Sequence, residues 1–368
     1  MSQDPQRSVL HARHVELGAK FAEFGGWLMP LEYSGGGVLA EHAAVRTGVG
    51  IFDVSHLGTL IVRGPGAVDA LNRVLTNDLR RIGPGRAQYS MLCADGGGVV
   101  DDLICYIRSD DDVLVIPNAS NAATVADVLD AAVAEAITVS NVHRDYAIIA
   151  VQGPASDQVV SAVGLPVGMD YMAFEPVTRD GVDFSVCRTG YTGELGYEVV
   201  VPVQGAEAIW DALLAAGAPH GILPCGLGAR DTLRTEMGYS LHGHEITPDI
   251  NPVEAGLTWA VGWSKEAFHG SEALRRIRAE GPSRRARGLL ALGRGIPRPG
   301  MTVVDADGNE LGTVTSGTFS PTLRTGIALA LLRPDVALDS EVGVRVRNRV
   351  EPFRVVKPPF VTPGVREG

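Results

Sequence analysis

The 368-residue sequence predicts an α+β protein of two or three domains that ends in a small β-barrel. Three observations carry that expectation. Short strand-like runs interleave with amphipathic helical patterns over most of the chain. The turns between them are rich in glycine and proline, 45 and 22 residues respectively, which favours antiparallel pairing over a doubly wound sheet. After residue 287 the helical pattern stops and only strand-like runs remain.

The elements follow in order. Val68, Leu71, Val74 and Leu75 share one helical face, as do Val125, Val128, Leu129 and Val133. Ala206, Ile209, Trp210, Leu213 and Leu214 form a third apolar face, with Gly217 as a stop. Strands are expected at 59–62, 99–107, 113–116, 147–151, 184–187 and 197–201. A domain boundary is expected near 270–287. That stretch holds Arg275, Arg276, Arg278, Arg284, Arg285 and Arg287, interrupted by Gly281-Pro282. Such a run ordinarily marks a solvated helix face and a linker; attraction of an acidic partner or a polyanionic ligand tail is the other reading. Beyond it, strands at 288–292, 302–304, 312–315, 326–331, 342–346 and 354–356 predict the barrel.

Composition narrows the function. The formal net charge of −11 argues against nucleic acid or an anionic membrane as the main partner. Cys93, Cys105, Cys187 and Cys225 form no CxxC pair, which predicts buried, reduced thiols. Residues 1–13 lack the apolar centre of a signal peptide, and no apolar run approaches the roughly 18 residues of a membrane span. A soluble cytoplasmic protein is the expectation.

The most informative local feature is Asp101-Asp102 within Gly97-Gly98-Val99-Val100-Asp101-Asp102-Leu103-Ile104-Cys105-Tyr106-Ile107. Aspartate is a poor strand former, and a buried carboxylate has to be paired, hydrogen-bonded or neutralised. Neighbouring strand residues point to opposite faces, so one aspartate can face a site while the other faces solvent or a structural partner. Locally, the preceding Ala94-Asp95-Gly96-Gly97-Gly98 favours a plain turn. A second stretch, Arg188 to Pro202, places Gly190, Gly193 and Gly196 before Glu198, a carboxylate opening an apolar run. Glu198 fits a ligand acceptor or half of a structural ion pair. A third, Pro224 to Arg234, reads as a helix N-terminal region with Arg230 and Arg234 on one face. An arginine there fits a carboxylate clamp, or a salt bridge to Glu236, Asp231 or Glu198. His242-Gly243-His244-Glu245 lacks a completing ligand set, so no metal site is expected. No Walker lysine motif, strand-linked GxGxxG or Gly-X-Ser-X-Gly elbow occurs, which leaves nucleotide and α/β-hydrolase chemistry without support.

Taken together, the segments resemble the T protein of the glycine cleavage system, the tetrahydrofolate-dependent aminomethyltransferase family. The resemblance runs through Phe24-Gly25-Gly26-Trp27, Glu41-His42-Ala43-Ala44-Val45-Arg46, Phe52-Asp53-Val54-Ser55-His56 and Gln88-Tyr89-Ser90. It continues through the Asp101-Asp102 run, Val151-Gln152-Gly153-Pro154, Gly190 to Glu198 and Gly226 to Arg234, and ends with Thr315-Ser316-Gly317-Thr318-Phe319-Ser320-Pro321-Thr322 and Lys357-Pro358-Pro359-Phe360. It implies a three-domain cloverleaf around a central folate cavity, built from antiparallel sheets with helices and a C-terminal β-barrel. The implied division is 1–54 with 138–240, then 55–137 with 241–275, then 276–368.

The implied reaction takes an aminomethyl group from the lipoyl arm of H protein, forms 5,10-methylenetetrahydrofolate and releases ammonia. Tetrahydrofolate is the co-substrate and lipoylated H protein the partner; neither metal nor nucleotide is implied. Cleaving the carbon–sulfur bond leaves a cationic, iminium-like centre, which a fixed carboxylate favours while it orients the folate amines and relays a proton. By resemblance Asp101 is that carboxylate and Asp102 a structural neighbour. Glu198 and Arg230 match substrate-contact positions, and Tyr89, Asn118 and Trp259 match positions near the folate. Leu57 stands where members often carry methionine, and Leu241-His242-Gly243 where many carry Leu-Tyr-Gly. Residues 364–368 lack a tyrosine found at the folate in some members. A related folate-dependent demethylase is the alternative enzyme. A folate-binding iron–sulfur assembly factor is the alternative of another class, but 239–245 lacks that group's cysteine.

Overall fold

The computed structural model describes residues 4–365, so residues 1–3 and the last three of the 364–368 stretch lie outside the described residues. Four sheets organise the chain. A six-stranded sheet takes Gly50–Asp53, Tyr146–Gln152, Phe174–Arg179, Val182–Cys187, Gly196–Pro202 and Leu223–Cys225. A five-stranded antiparallel sheet takes Leu60–Arg63, Arg86–Cys93, Val99–Ser109, Asp112–Pro117 and Thr138–Asn141. A small three-stranded sheet is built on the hairpin of Ala19–Phe24 and Trp27–Tyr33. Six strands from Arg285 to Val356 close into a barrel.

The two large sheets stand face to face. Along Gly196–Pro202, Tyr197, Val199 and Val201 pack outward with Trp210, Ile209 and Leu213 of helix Val203–Gly217. Truncating a side chain as large and as buried as Trp210 costs roughly 3–5 kcal/mol. The alternate residues Glu198 and Val200 point inward, towards the other sheet. The five-stranded sheet mirrors this arrangement. Leu103, Cys105 and Ile107 pack against helices Ala67–Val74 and Ala122–Ala132, while Tyr106 and Leu114 face inward to meet Phe52, Ile148 and Val200. Period-two alternation therefore gives each sheet a helix-covered outer face and an inner face turned to its partner.

The three helical faces read from periodicity are observed, as is the all-strand region after residue 287. Helix Gly37–Thr47 escapes periodicity because it buries Glu41 and His42, which break its apolar stripe. The four cysteines are free and buried. Two expected boundaries shift. Thr138–Asn141 pairs with Leu60–Arg63, so the chain returns to the first sheet after that strand rather than at residue 138. The division at 275 falls inside helix Ser271–Glu280, which carries the first three arginines of the run, and the barrel begins at Arg285. Within the run, Arg275 donates to the Lys265 and Glu266 carbonyls, Arg278 lies over Trp263 at 4.4 Å, and Arg284 pairs with Glu254.

The barrel is fastened to the rest by a buried clasp. Glu236, on helix Leu227–Met237, accepts from Arg46, from the Ser320 hydroxyl and from Thr322 of the barrel. His42 lies 3.3 Å from the same carboxylate. Burial alone would raise the Glu236 carboxyl, but His42, Ser320 and Arg46 outweigh it and hold it at about 2.

Candidate active site

Between the two inner faces lies a cavity of about 510 Å³ to which all four sheets contribute. Ile104, Tyr106, Ile116 and Asn118 come from the five-stranded side; Ile148, Glu198 and Val200 come from the six-stranded side. Helix Leu227–Met237 supplies Arg230 and Arg234, the hairpin Phe24 and Leu31, and the barrel Ser316 and Gly317. Most of the lining is apolar, with a few polar groups converging, as in small-molecule sites generally.

Strand parity sends the two aspartates of the pair to opposite faces. In strand Val99–Ser109, Asp102 has the parity of Ile104 and Tyr106 and lines the cavity. Asp101 has the parity of Leu103 and Cys105 and is fully buried away from the wall. There it accepts from the Asn118 backbone at 2.9 Å, the Asn118 side chain at 2.9 Å and Asn121 Nδ2 at 2.7 Å. Asp101 thus anchors the loop before helix Ala122–Ala132, and of the two it is Asp102 that lines the cavity. Asp102 accepts from the Tyr89 hydroxyl at 3.0 Å and from Asn118 Nδ2 at 2.7 Å. Burial raises both carboxyls above their ordinary value, and Asp102 is raised further by the charge of Asp101. The register is set upstream by Gly98, where a Cβ would come within 1.7 Å of the Pro248 carbonyl oxygen.

Glu198 accepts from the Thr189 hydroxyl at 2.5 Å, with its carboxylate on the cavity side of the sheet. The preceding turn brings Tyr191 into the wall, and the Tyr191 hydroxyl donates to the Ser240 carbonyl. Gly190 allows this turn to lie on Gln152: a Cβ there would meet Gln152 Oε1 at 2.1 Å. The Arg230 guanidinium lies over the Tyr191 ring at 4.5 Å and makes no ion pair or hydrogen bond among the described residues. Burial lowers its pKa while the nearby Glu198 charge supports the proton. The neighbouring Arg234 is consumed structurally by Asp231, Glu245 and Ser316.

Of the residues singled out from sequence, Tyr89, Asn118, Glu198, Arg230 and Leu57 share the cavity. Trp259 does not reach its wall; it is 62% exposed and stacks on Tyr89 with centroids 5.3 Å apart. His242 and His244 diverge, His242 to Asn121 and Val99, His244 to the Thr315 carbonyl. Among the described residues no group of three or more His, Cys, Asp or Glu could hold a metal ion. Sequence reasoning missed His56, Tyr106 and Tyr191 on the wall. Only the shared parity of Asp102, Ile104 and Tyr106 could have grouped that strand's contributors.

Comparison with known proteins agrees with this architecture. Residues 10–265 match the family described as the GCVT N-terminal domain, and residues 284–362 match the glycine cleavage T-protein C-terminal barrel domain. A protein of Parafrankia sp. (strain EAN1pec) named "Aminomethyltransferase" is 56% identical over 361 residues, covering 98% of this chain and 99% of its own. One of the same name from Mycobacterium tuberculosis (strain ATCC 25618 / H37Rv) is 54% identical over 354 residues, 96% of each chain. The crystal structure of the glycine cleavage system aminomethyltransferase T from Bartonella henselae superposes with a TM-score of 0.92 at 34% identity, covering 98% of this chain and 99% of that one. The chain belongs to the glycine cleavage T-protein family of aminomethyltransferases.

Proposed function

We propose that this chain moves the methylene of an aminomethyl group, carried on the lipoyl arm of an H protein, onto tetrahydrofolate, giving 5,10-methylenetetrahydrofolate and ammonia. The observation that carries the reading is the pair of cavity-facing carboxylates, Asp102 and Glu198, in one largely apolar cavity. A pterin ring is flat, apolar on its faces and rich in N–H donors at its edge, which suits such a lining.

Tetrahydrofolate supplies the two amine nitrogens that take up the methylene. In the balanced reaction the carbon–sulfur and carbon–nitrogen bonds break, and carbon bonds form to both folate nitrogens. Of the two protons those nitrogens lose, one goes to the lipoyl sulfur and one to the departing ammonia. Asp102 accepts a folate amine proton and favours the developing positive charge; such positioned proton transfer is worth roughly 10²–10⁴-fold. Tyr89 and Asn118 hold its two oxygens in place. Asp101 acts through Asn118 as a positioning residue. Glu198 accepts from the donor edge of the pterin, with Arg230 and Leu57 as further contacts, and Trp259 supports Tyr89.

The cytoplasmic setting and the division into a discontinuous first domain, an inserted second domain and a barrel belong to the same proposal. The return of the chain to the six-stranded sheet after Asn141 supports the discontinuity. Among the described residues no helix is long and apolar enough to cross a membrane. The decisive experiment incubates the purified protein with aminomethylated H protein and follows ammonia and methylenetetrahydrofolate with and without tetrahydrofolate. Folate-stimulated ammonia release is expected; its absence refutes the reading.

A further inference from the structure

His56 is 1% exposed and lies on the cavity wall, yet neither ring nitrogen has a hydrogen-bond partner among the described residues. Its Nδ1 is sealed from solvent. Phe24 stands edge-on to the ring with centroids 5.4 Å apart, which leaves the cavity as the ring's polar outlet. Nδ1 is sealed, whereas Nε2 has no partner and is not among the sealed atoms, so Nε2 is the ring atom that a ligand group in the cavity can meet.

The charge state and tautomer follow from the surroundings. Burial disfavours imidazolium, the Arg230 charge disfavours it further, and His143 adds to both. Asp53 acts in the opposite direction and is outweighed, so the pKa falls to about 3 and the ring is neutral. A neutral imidazole has one N–H and one lone pair. An orphaned buried N–H is rarer than an under-satisfied acceptor, so the lone pair belongs on sealed Nδ1 and the proton on Nε2. The wall therefore presents a neutral donor in the cavity that Arg230 also lines.

We infer that His56 Nε2–H, with Arg230, recognises the C4 carbonyl oxygen of the pterin ring. This rests on the folate reading above. The 2-amino group and N3–H of a pterin form a two-donor edge that matches a carboxylate such as Glu198. The C4 oxygen is next to that edge and needs a donor. Glu198, Arg230 and His56 all line the same cavity, so acceptor and donors are available to one ring. His56 is thus a specificity residue that distinguishes a 4-oxo from a 4-amino pterin.

Two measurements test this. The first is long-range ¹H–¹⁵N correlation on histidine-labelled wild-type protein. It is expected to find His56 neutral with the proton on Nε2 from about pH 6 to 8, and to find that signal moved by tetrahydrofolate. A proton on Nδ1 overturns the inference. The second compares wild type with His56→Phe, which keeps the ring contact with Phe24 and removes the donor. Tetrahydrofolate is expected to bind the variant roughly 3–10-fold more weakly, while its 4-amino analogue loses no affinity. Equal weakening of both ligands, or of neither, overturns the role. If wild-type protein binds no tetrahydrofolate, the folate reading falls and this inference with it. If wild type binds and only the selectivity test fails, the folate reading stands alone.

Discussion

The Tyr89 hydroxyl donates to Asp102 Oδ2 at 3.0 Å, diagonally across two neighbouring strands of the five-stranded sheet. That bond ties the cavity-facing carboxylate to a side chain whose ring is stacked on Trp259. Asp101 reaches the cavity wall indirectly, through Asn118, so the two adjacent aspartates are expected to separate in mutagenesis. Asp102→Asn is expected to lower turnover roughly 10²–10⁴-fold while tetrahydrofolate still binds and the melting temperature holds. Asp101→Asn is expected to act chiefly on stability, because an amide cannot accept from Asn118 and Asn121 at once without presenting N–H to N–H. Collapse of turnover in Asp101→Asn at unchanged stability is the outcome that assigns catalysis to Asp101 instead.

The rate profile carries a sign. The folded-state carboxyls of the pair are raised above 3.8, chiefly by burial. In the proposed mechanism the ionised form is the competent one, so turnover is expected to fall as pH drops through the raised value, well above the ordinary range. Tyr89 holds Asp102 down by hydrogen bonding. In Tyr89→Phe the acid limb should therefore move to higher pH, read from kcat/KM against pH. The stability contribution runs the other way: ionisation of the pair opposes folding above its raised value, and that penalty fades as pH falls towards 3.8.

Glu198→Gln keeps the size of the side chain and removes the charge that faces the cavity. Tetrahydrofolate affinity should fall roughly 10–100-fold, as for loss of a hydrogen-bonded ionic contact. Thr189→Val, which removes only the hydroxyl bonded to Glu198, should cost less. Calorimetric titration of both variants tests the order.

Gly98→Ala forces a Cβ onto the Pro248 carbonyl oxygen, a backbone atom that cannot swing aside. Val99 N–H also donates to the Thr247 carbonyl at 2.8 Å, so the whole junction must shift. Reduced stability and reduced turnover are expected together, although residue 98 is outside the cavity. Native turnover with an unchanged melting temperature would contradict this.

Glu236→Gln tests the clasp between helix and barrel. The carboxyl falls from 4.5 to about 2 in the folded protein. Its ionised form therefore stabilises above pH 4.5 by roughly 3 kcal/mol, and that contribution is lost as pH falls from 4.5 through about 2. Denaturant titrations of wild type and variant should differ by about this amount near neutral pH. The gap should close in acid.

The sequence was most legible where one face of an element is apolar. The helix bearing Trp210 and the barrel strands after Arg285 declare themselves by periodicity. Polar residues turned inward hide the rest, as Glu41 and His42 do in their helix. At the site, residue types left Glu198 and Arg230 open between ligand contact and ion pair and the resemblance pointed to them, while strand parity tells which of Asp101 and Asp102 faces the cavity. Val99–Ser109 is apolar on both faces because both are covered, by helices on one side and a second sheet on the other, so hydropathy cannot say which face is which. His56 was illegible for a related reason: nothing local separates a buried histidine that is satisfied from one that waits for a partner.

The gap between the inner sheet faces has a consequence for the energetics of the whole molecule. Face-to-face sheets ordinarily close on each other's side chains, but here part of the interior between them stays open as a cavity that a ligand can fill. The occupant is then a removable part of the core. Its binding and the cohesion of the two sheets become one linked quantity, and saturation at a hundred times the dissociation constant adds about 2.7 kcal/mol to the fold. Melting temperature against ligand concentration thus reads affinity directly, without any turnover, and ranks candidate occupants by how well they finish the interior.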